Sequence, residues 1–182
     1  MHPEGYLCRI TSGILSMARS FVLLVALTGL ISFTAKSQSA NQEKQAVEQV
    51  VHQVFEGMQK GDSAMLHSAF ASEVTLATIS INKDGSTRLE HENSIQDFLV
   101  AVATPHKEIW YEETWNYTTQ IDGAFAQVWC HYGFYLGNQF SHCGVDAFQL
   151  AKINGVWKIF HLADTRRKTE CKVPDSISLK HK

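Results

Sequence analysis

Between two turn signals, Gly137-Asn138 and Asn154-Gly155, the chain reads FSHCGVDAFQL from Phe140 to Leu150. Turns of this type join neighbouring antiparallel strands, so the stretch predicts the middle strand of a meander. A strand that only builds a core has little use for His142, Cys143, Gly144 and Asp146 in such close order. The question is which of them share a face, and what that face holds.

The turns answer the first part, because residues paired across a hairpin keep a constant sum and point the same way. Around Gly137-Asn138 the pairing sets Trp129 opposite Asp146, His131 opposite Gly144 and Gly133 opposite His142. Around Asn154-Gly155 it sets Ile159 opposite Leu150 and His161 opposite Phe148, with Arg167 near His142. A third turn, Asp122-Gly123, sets Asn116 beside Trp129, Thr114 beside His131 and Glu112 beside Gly133. One face then runs from apolar residues (Trp157, Ile159, Leu150, Phe148) to polar ones. The polar end carries Glu112, Asn116, Trp129, His131, His142, Asp146, His161 and Arg167. A face graded in this way fits the wall of a pocket with a polar mouth. The reverse face receives Tyr111, Trp115, Tyr117, Val128, Cys130, Tyr132, Cys143, Val145, Ala147 and Leu162.

Upstream of the meander the period changes. Ala46, Val47, Val50, Val51, Val54, Phe55 and Met58 form one helical stripe over Glu43–Lys60, which Gly61 ends. Asp62 is placed to cap a short second helix with Met65, Leu66 and Phe70. Ser72–Ile81 alternates as a strand, Asn82–Gly85 turns, and Thr87–His91 reads as a further short strand. Asn93 begins a third helix with Ile95, Phe98, Leu99 and Val102, and Pro105 stops it. This order predicts an α+β domain, three helices packed on one face of a curved antiparallel sheet.

The first residues are of another kind. Phe21–Phe33 is an uncharged apolar run behind Arg19 and ahead of Ala35-Lys36-Ser37, too short to cross a bilayer, which needs about 20 residues. A basic residue, a short apolar core and small residues before a cleavage point make residues 1–37 a signal peptide. Met17 stands just before the run, so residues 1–16 read as an upstream extension. The expected location is secreted or periplasmic, with no membrane contact after cleavage. The expected domain is 43–171, followed by a polar mobile tail over 172–182.

The whole chain carries a formal charge of −2 and no basic block, which excludes an electrostatic footprint for nucleic acid. Cys130, Cys143 and Cys171 follow the leader, and an odd count permits one disulfide and one free thiol. Cys143 lies near the strand end that leads to Cys171, so a Cys143–Cys171 bond would pin the tail to the sheet. Three histidines beside Asp146 raise zinc, but parallel cross-strand side chains do not point at one centre, and no metal or cofactor is called for. His142 with Asp146 is the candidate acid–base pair.

The segments Phe134–Leu136, Phe140–Leu150, Trp157–Ile159, Asp164–Arg167 and Cys171 together resemble the nuclear transport factor 2-like superfamily. Within it they resemble the group labelled putative lumazine-binding. That resemblance implies a cone-shaped fold with a pocket between sheet and helices, and a homodimer formed through the outer sheet face. Enzymes of the superfamily include isomerases, cyclases and dehydratases, but no motif here locates their catalytic carboxylates. The expectation is an exported small-molecule-binding protein with an aromatic, partly polar ligand. An enzyme using His142 and Asp146 in the same pocket is the alternative.

Overall fold

A computed structural model describes residues 38–92 and 94–182. The signal-peptide reading of residues 1–37 and the capping role of Asn93 lie outside the described residues. The chain divides into two units, 1–42 and 43–182, and the sheet belongs to the second.

Helix α1 covers residues 43–60 of this unit and buries Val47, Val51, Val54, Phe55 and Met58. Their spacing is the stripe that a 3.6-residue period demands. Gly61 ends the helix with a left-handed φ of 66°. The Asp62 carboxylate then accepts from the Met65 amide at 2.8 Å and caps α2, Ser63–Ala69. Strands β1 (Phe70–Ile81) and β2 (Thr87–Glu92) form a hairpin, and α3 spans Gln96–Ala103. The meander follows as β3 (Trp110–Asp122), β4 (Phe125–Leu136), β5 (Gln139–Ile153) and β6 (Val156–Arg166). The six strands form one sheet in the order β2-β1-β6-β5-β4-β3, with β1 parallel to β6 and every other pairing antiparallel.

The core lies where α1, α2 and α3 meet the sheet: Leu66, Phe70, Val102, Val128, Phe148, Leu150, Trp157 and Ile159 are buried there. Glu43 ties α1 to the sheet by accepting from Lys152 at 2.6 Å and from the Trp157 indole at 3.0 Å.

The register differs from the sequence expectation at the β3–β4 turn, which lies at Gly123-Ala124 because Asp122 pairs with Phe125, and at three β-bulges. Asn116 and Tyr117 together face Cys130, Ser141 is an extra residue opposite the Phe134-Tyr135 step, and Phe160 is extra opposite the Gln149-Leu150 step. An extra residue reverses which face the rest of a strand presents to its neighbour. Beyond the bulges Cys130 pairs with Asp146, Tyr132 with Gly144, Phe134 with His142, and Asp146 with Asp164. Trp129, His131, His161 and Arg167 therefore leave the expected face. Tyr132, Cys130, Val128 and Leu162 move onto it.

Gly144 serves a different neighbour from the one expected. A Cβ there would stand 1.6 Å from the Thr165 carbonyl oxygen and 2.6 Å from the Tyr132 ring. The strand is open at this point for the backbone of β6, not for a ligand or an imidazole.

The Cys143–Cys171 disulfide is present, with Cα atoms 5.6 Å apart, and Cys130 is a buried free thiol. Residues past the disulfide, expected as a mobile tail, instead form α4 (Asp175–Ser178) and a 3₁₀ turn (Leu179–His181). Ile177 and His181 are buried, and the His181 ring stacks on Tyr135 at 4.0 Å with Glu113 3.2 Å from its Nε2. Polar composition alone concealed these anchors.

Two stability measurements test these contacts. Gly144→Ala is expected to lower unfolding free energy by about 3 kcal/mol or more in urea titrations, because backbone must move. Reducing the disulfide frees a loop of 28 residues, and is expected to cost about 2–4 kcal/mol by the same assay.

Candidate functional site

Between the sheet and helices α1 and α3 lies a cavity of about 510 Å³. Its apolar wall is built by Phe55 and Met58 of α1, Phe98 of α3, and Trp110, Phe134 and Phe148 of the sheet. Trp110 and Phe134 meet edge to face at 6.0 Å, and His106 stacks on Trp110 at 3.8 Å. The polar wall brings Glu112 from β3, Tyr132 from β4, His142 and Asp146 from β5, and Asp164 and Arg166 from β6.

Asp164 is fully engaged. It accepts from the Thr78 hydroxyl and, at 2.7 Å, from the Arg166 guanidinium. Tyr132 donates to the Thr165 carbonyl at 2.9 Å, which fixes its ring under the pocket. His142 sits near the rings of Phe134 (5.1 Å) and Tyr132 (5.7 Å), with Ser141 Oγ 3.0 Å from its Nδ1. Burial, assisted by the charge of Arg166, lowers the pKa of His142 and favours the neutral ring.

Glu112 and Asp146 form the unusual element. Asp146 is 3% exposed, and its Oδ2 has no hydrogen-bond partner among the described residues while both groups are ionised. Glu112 is half-buried and lines the same cavity. Loss of water raises the Glu112 pKa to about 7, opposed by its hydrogen bond with Asp146. Burial first, then the neighbouring Glu112 charge, raises Asp146 well above the carboxylate range. Two carboxylates in hydrogen-bond reach and short of water retain one proton between them. The hydrogen bond raises Asp146 and lowers Glu112, so Asp146 is the partner that keeps the proton and Glu112 the one that ionises near neutrality. Burial also holds the Cys130 thiol and the Tyr132 phenol above their ordinary ranges, so both stay protonated.

Of the residues read from sequence as ligand contacts, Glu112, His142, Asp146 and Phe148 line the cavity. Trp129 is half exposed, His131 stacks with Trp115 at 5.9 Å, and His161 Nδ1 meets the Thr75 hydroxyl at 2.7 Å, all on the opposite face. Arg167 pairs its backbone with Cys143, and Asn116 sits exposed in the β3 bulge with φ 55°. The zinc trio of His131, His142 and Asp146 is split between the two faces. His142 and Asp146 do not form the expected acid–base pair either. Four residues of strand separate them by about 13 Å, and the neighbour of Asp146 is Glu112.

Sequence reading missed Trp110, Tyr132, Phe134, Asp164 and Arg166 as lining residues. The asparagine at position 116 was the available signal of the β3 bulge, since asparagine tolerates the positive φ of 55° found there better than most residues.

A family model described as "Putative lumazine-binding" matches residues 42–161. Among solved structures, an NTF2-like protein of unknown function from Shewanella baltica is 19% identical, with TM-score 0.52, covering 70% of this chain and 96% of that one. A putative dehydratase of the NTF2-like family from Streptomyces avermitilis is 13% identical, with TM-score 0.54 and coverage of 70% and 98%. The beta subunit of a putative aromatic-ring-hydroxylating dioxygenase from Novosphingobium aromaticivorans is 9% identical, with TM-score 0.60 and coverage of 72% and 94%. At these identities they establish a shared fold. No curated protein matches.

The shared proton has a measurable consequence. Glu112 is neutral in the fold up to about pH 7, against an ordinary value of 4.5. Its contribution to stability is therefore complete below pH 4.5 and is lost as pH rises to 7. Glu112→Gln, permanently neutral, is expected to match the wild type near pH 4.5 and exceed it by about 3 kcal/mol at pH 8. That size reflects about 1.4 kcal/mol for each tenfold change in proton affinity. Urea unfolding across the pH range reads the difference.

Proposed function

Because the chain belongs to the putative lumazine-binding family, we propose that it binds a small, partly aromatic molecule in the cavity between sheet and helices. The observation that carries this reading is the combination of about 510 Å³ of space with an aromatic wall and a proton-sharing carboxyl pair on the facing side. Cavities of this size hold a two- to four-ring compound, and a few convergent polar groups fix its orientation. Trp110, Phe134 and Phe148 supply flat contact area, while Glu112, Asp146 and Tyr132 supply hydrogen-bonding groups.

The leader over residues 1–37 supports export, with the domain acting outside the cytoplasm. The N-terminal sequence of the mature protein is expected to begin after Ser37. Association of two copies through the outer sheet face would cover Trp129, which is half exposed. Sedimentation at micromolar concentration tests that arrangement.

A second reading is favoured by one feature, the group titrating at about 7 inside an apolar site. Such a group is suited to moving a proton on a bound carbonyl or hydroxyl compound. Turnover would then follow one ionisation near neutral pH and vanish in Glu112→Gln.

Thermal shift with pterins, flavins and sterols tests the binding reading. At least one class is expected to raise the melting temperature, and Trp110→Ala is expected to weaken that ligand by about tenfold, the scale of one lost aromatic contact. No shift with any class would count against a ligand pocket.

A further inference from the structure

We propose that the ligand of this pocket carries a protonated nitrogen, which the Glu112–Asp146 pair receives while the aromatic wall holds the rest of the molecule. This inference rests on the binding reading and adds the charge of the ligand to it.

Three observations lead to it. The first is Asp146 itself, 3% exposed, lining the cavity with an Oδ2 that finds no donor among the described residues. A buried acceptor without a donor is costly, and a ligand N–H removes that cost. The second is the disposition of the other charges. Asp164 and Arg166 neutralise each other at 2.7 Å, and His142 is held toward its neutral form. No cation among the described lining residues is left to offset Glu112 and Asp146. The third is the rim, where Glu90, Glu92 and Asp97 line the entrance. Arg88 pairs with Glu90, which leaves Glu92 and Asp97 to set the sign there. A negative mouth draws cations inward and repels carboxylates and phosphates. Trp110, Phe134 and Tyr132 present ring faces and edges in the same space, and aromatic faces stabilise a desolvated cation.

The Glu112 proton competes with such a ligand, because a cation at the pair favours ionised Glu112, so binding tightens as pH rises through neutrality. The groups facing the pair are Cys130 and Tyr132 on β4, His142 on β5, Asp164 and Arg166 on β6, and Tyr117 on β3. The thiol and both phenols have raised pKa values and stay neutral, and His142 favours its neutral form. The pair is thus the group that changes charge as pH rises through neutrality.

Three indoles that differ in side-chain charge separate the possibilities by calorimetry on the full chain: tryptamine (cationic), N-acetyltryptamine (neutral) and indole-3-acetate (anionic). Tryptamine is expected to bind at least about tenfold tighter than the neutral analogue at pH 7.5, with the anion weakest. A tenfold ratio is what one modest charge contact supplies. Its affinity is expected to rise between pH 6 and 8, and both effects are expected to shrink in Glu112→Gln and Asp146→Asn, checked for folding by circular dichroism. Equal binding of all three, or a preference for the anion, overturns the cation inference and leaves the pocket reading standing. Binding of no indole while a pterin, flavin or sterol still binds also overturns it. Binding of nothing at all overturns both.

Discussion

A sheet in strict alternation would turn Trp129 and His131 toward the helices and send Cys130, Tyr132 and Phe134 to the other side. The three bulges in β3, β5 and β6 prevent that. Each adds one residue to one strand, raises local twist and bends the strand over the helices. All three lie within the meander, and the sheet they bend forms one wall of the cavity. The pocket is the volume that α1 and α3 do not fill once the sheet has curved. Gly144 belongs to the same constraint, since the curved β6 backbone occupies the position its side chain would take. Tyr132 closes the arrangement by donating across to Thr165, which ties β4 to β6 over the intervening strand.

Much of this fold was legible because its signals are local. The α1 stripe from Val47 to Met58, the Asp62 cap, the Gly61 stop and two of the three meander turns depend on residues a few positions apart, where spacing and turn chemistry suffice. The parallel contact of β1 with β6 was not legible. It joins Thr75 to His161 across the whole meander, and nothing near either residue specifies the other. The bulges were hidden for a related reason. Ser141 and Phe160 are ordinary strand residues in composition, and a single extra residue leaves the hydrophobic pattern of its own strand intact while changing what its neighbour meets. Hence Glu112, His142, Asp146 and Phe148 were placed correctly relative to the cavity, whereas their partners on β4 and β6 were exchanged for the residues next to them. Arg167 in place of Arg166, and His161 in place of Leu162, are errors of one position each.

The carboxyl pair is costly for the fold, and that cost bears on what it does. Burying one carboxylate beside another removes hydration from both and sets them against each other, which an apolar or amide pair at the same positions would avoid. Elsewhere in the molecule buried or half-buried charge is matched: Glu43 by Lys152 and the Trp157 indole, Asp164 by Arg166 and Thr78, Glu113 by Lys180. The fold therefore has the means to neutralise a carboxylate and does so at each of those sites. At Glu112 and Asp146 it supplies a single proton and leaves the pair facing open space. The hydrogen bond between them links β3 to β5 without an opposite charge, unlike the contacts that Asp164 and Glu43 make. A partner arriving from outside satisfies the pair, whether a nitrogen that takes the place of the proton or a substrate atom that receives it. Both outcomes use the same property, a Glu112 proton held loosely enough to leave at about pH 7.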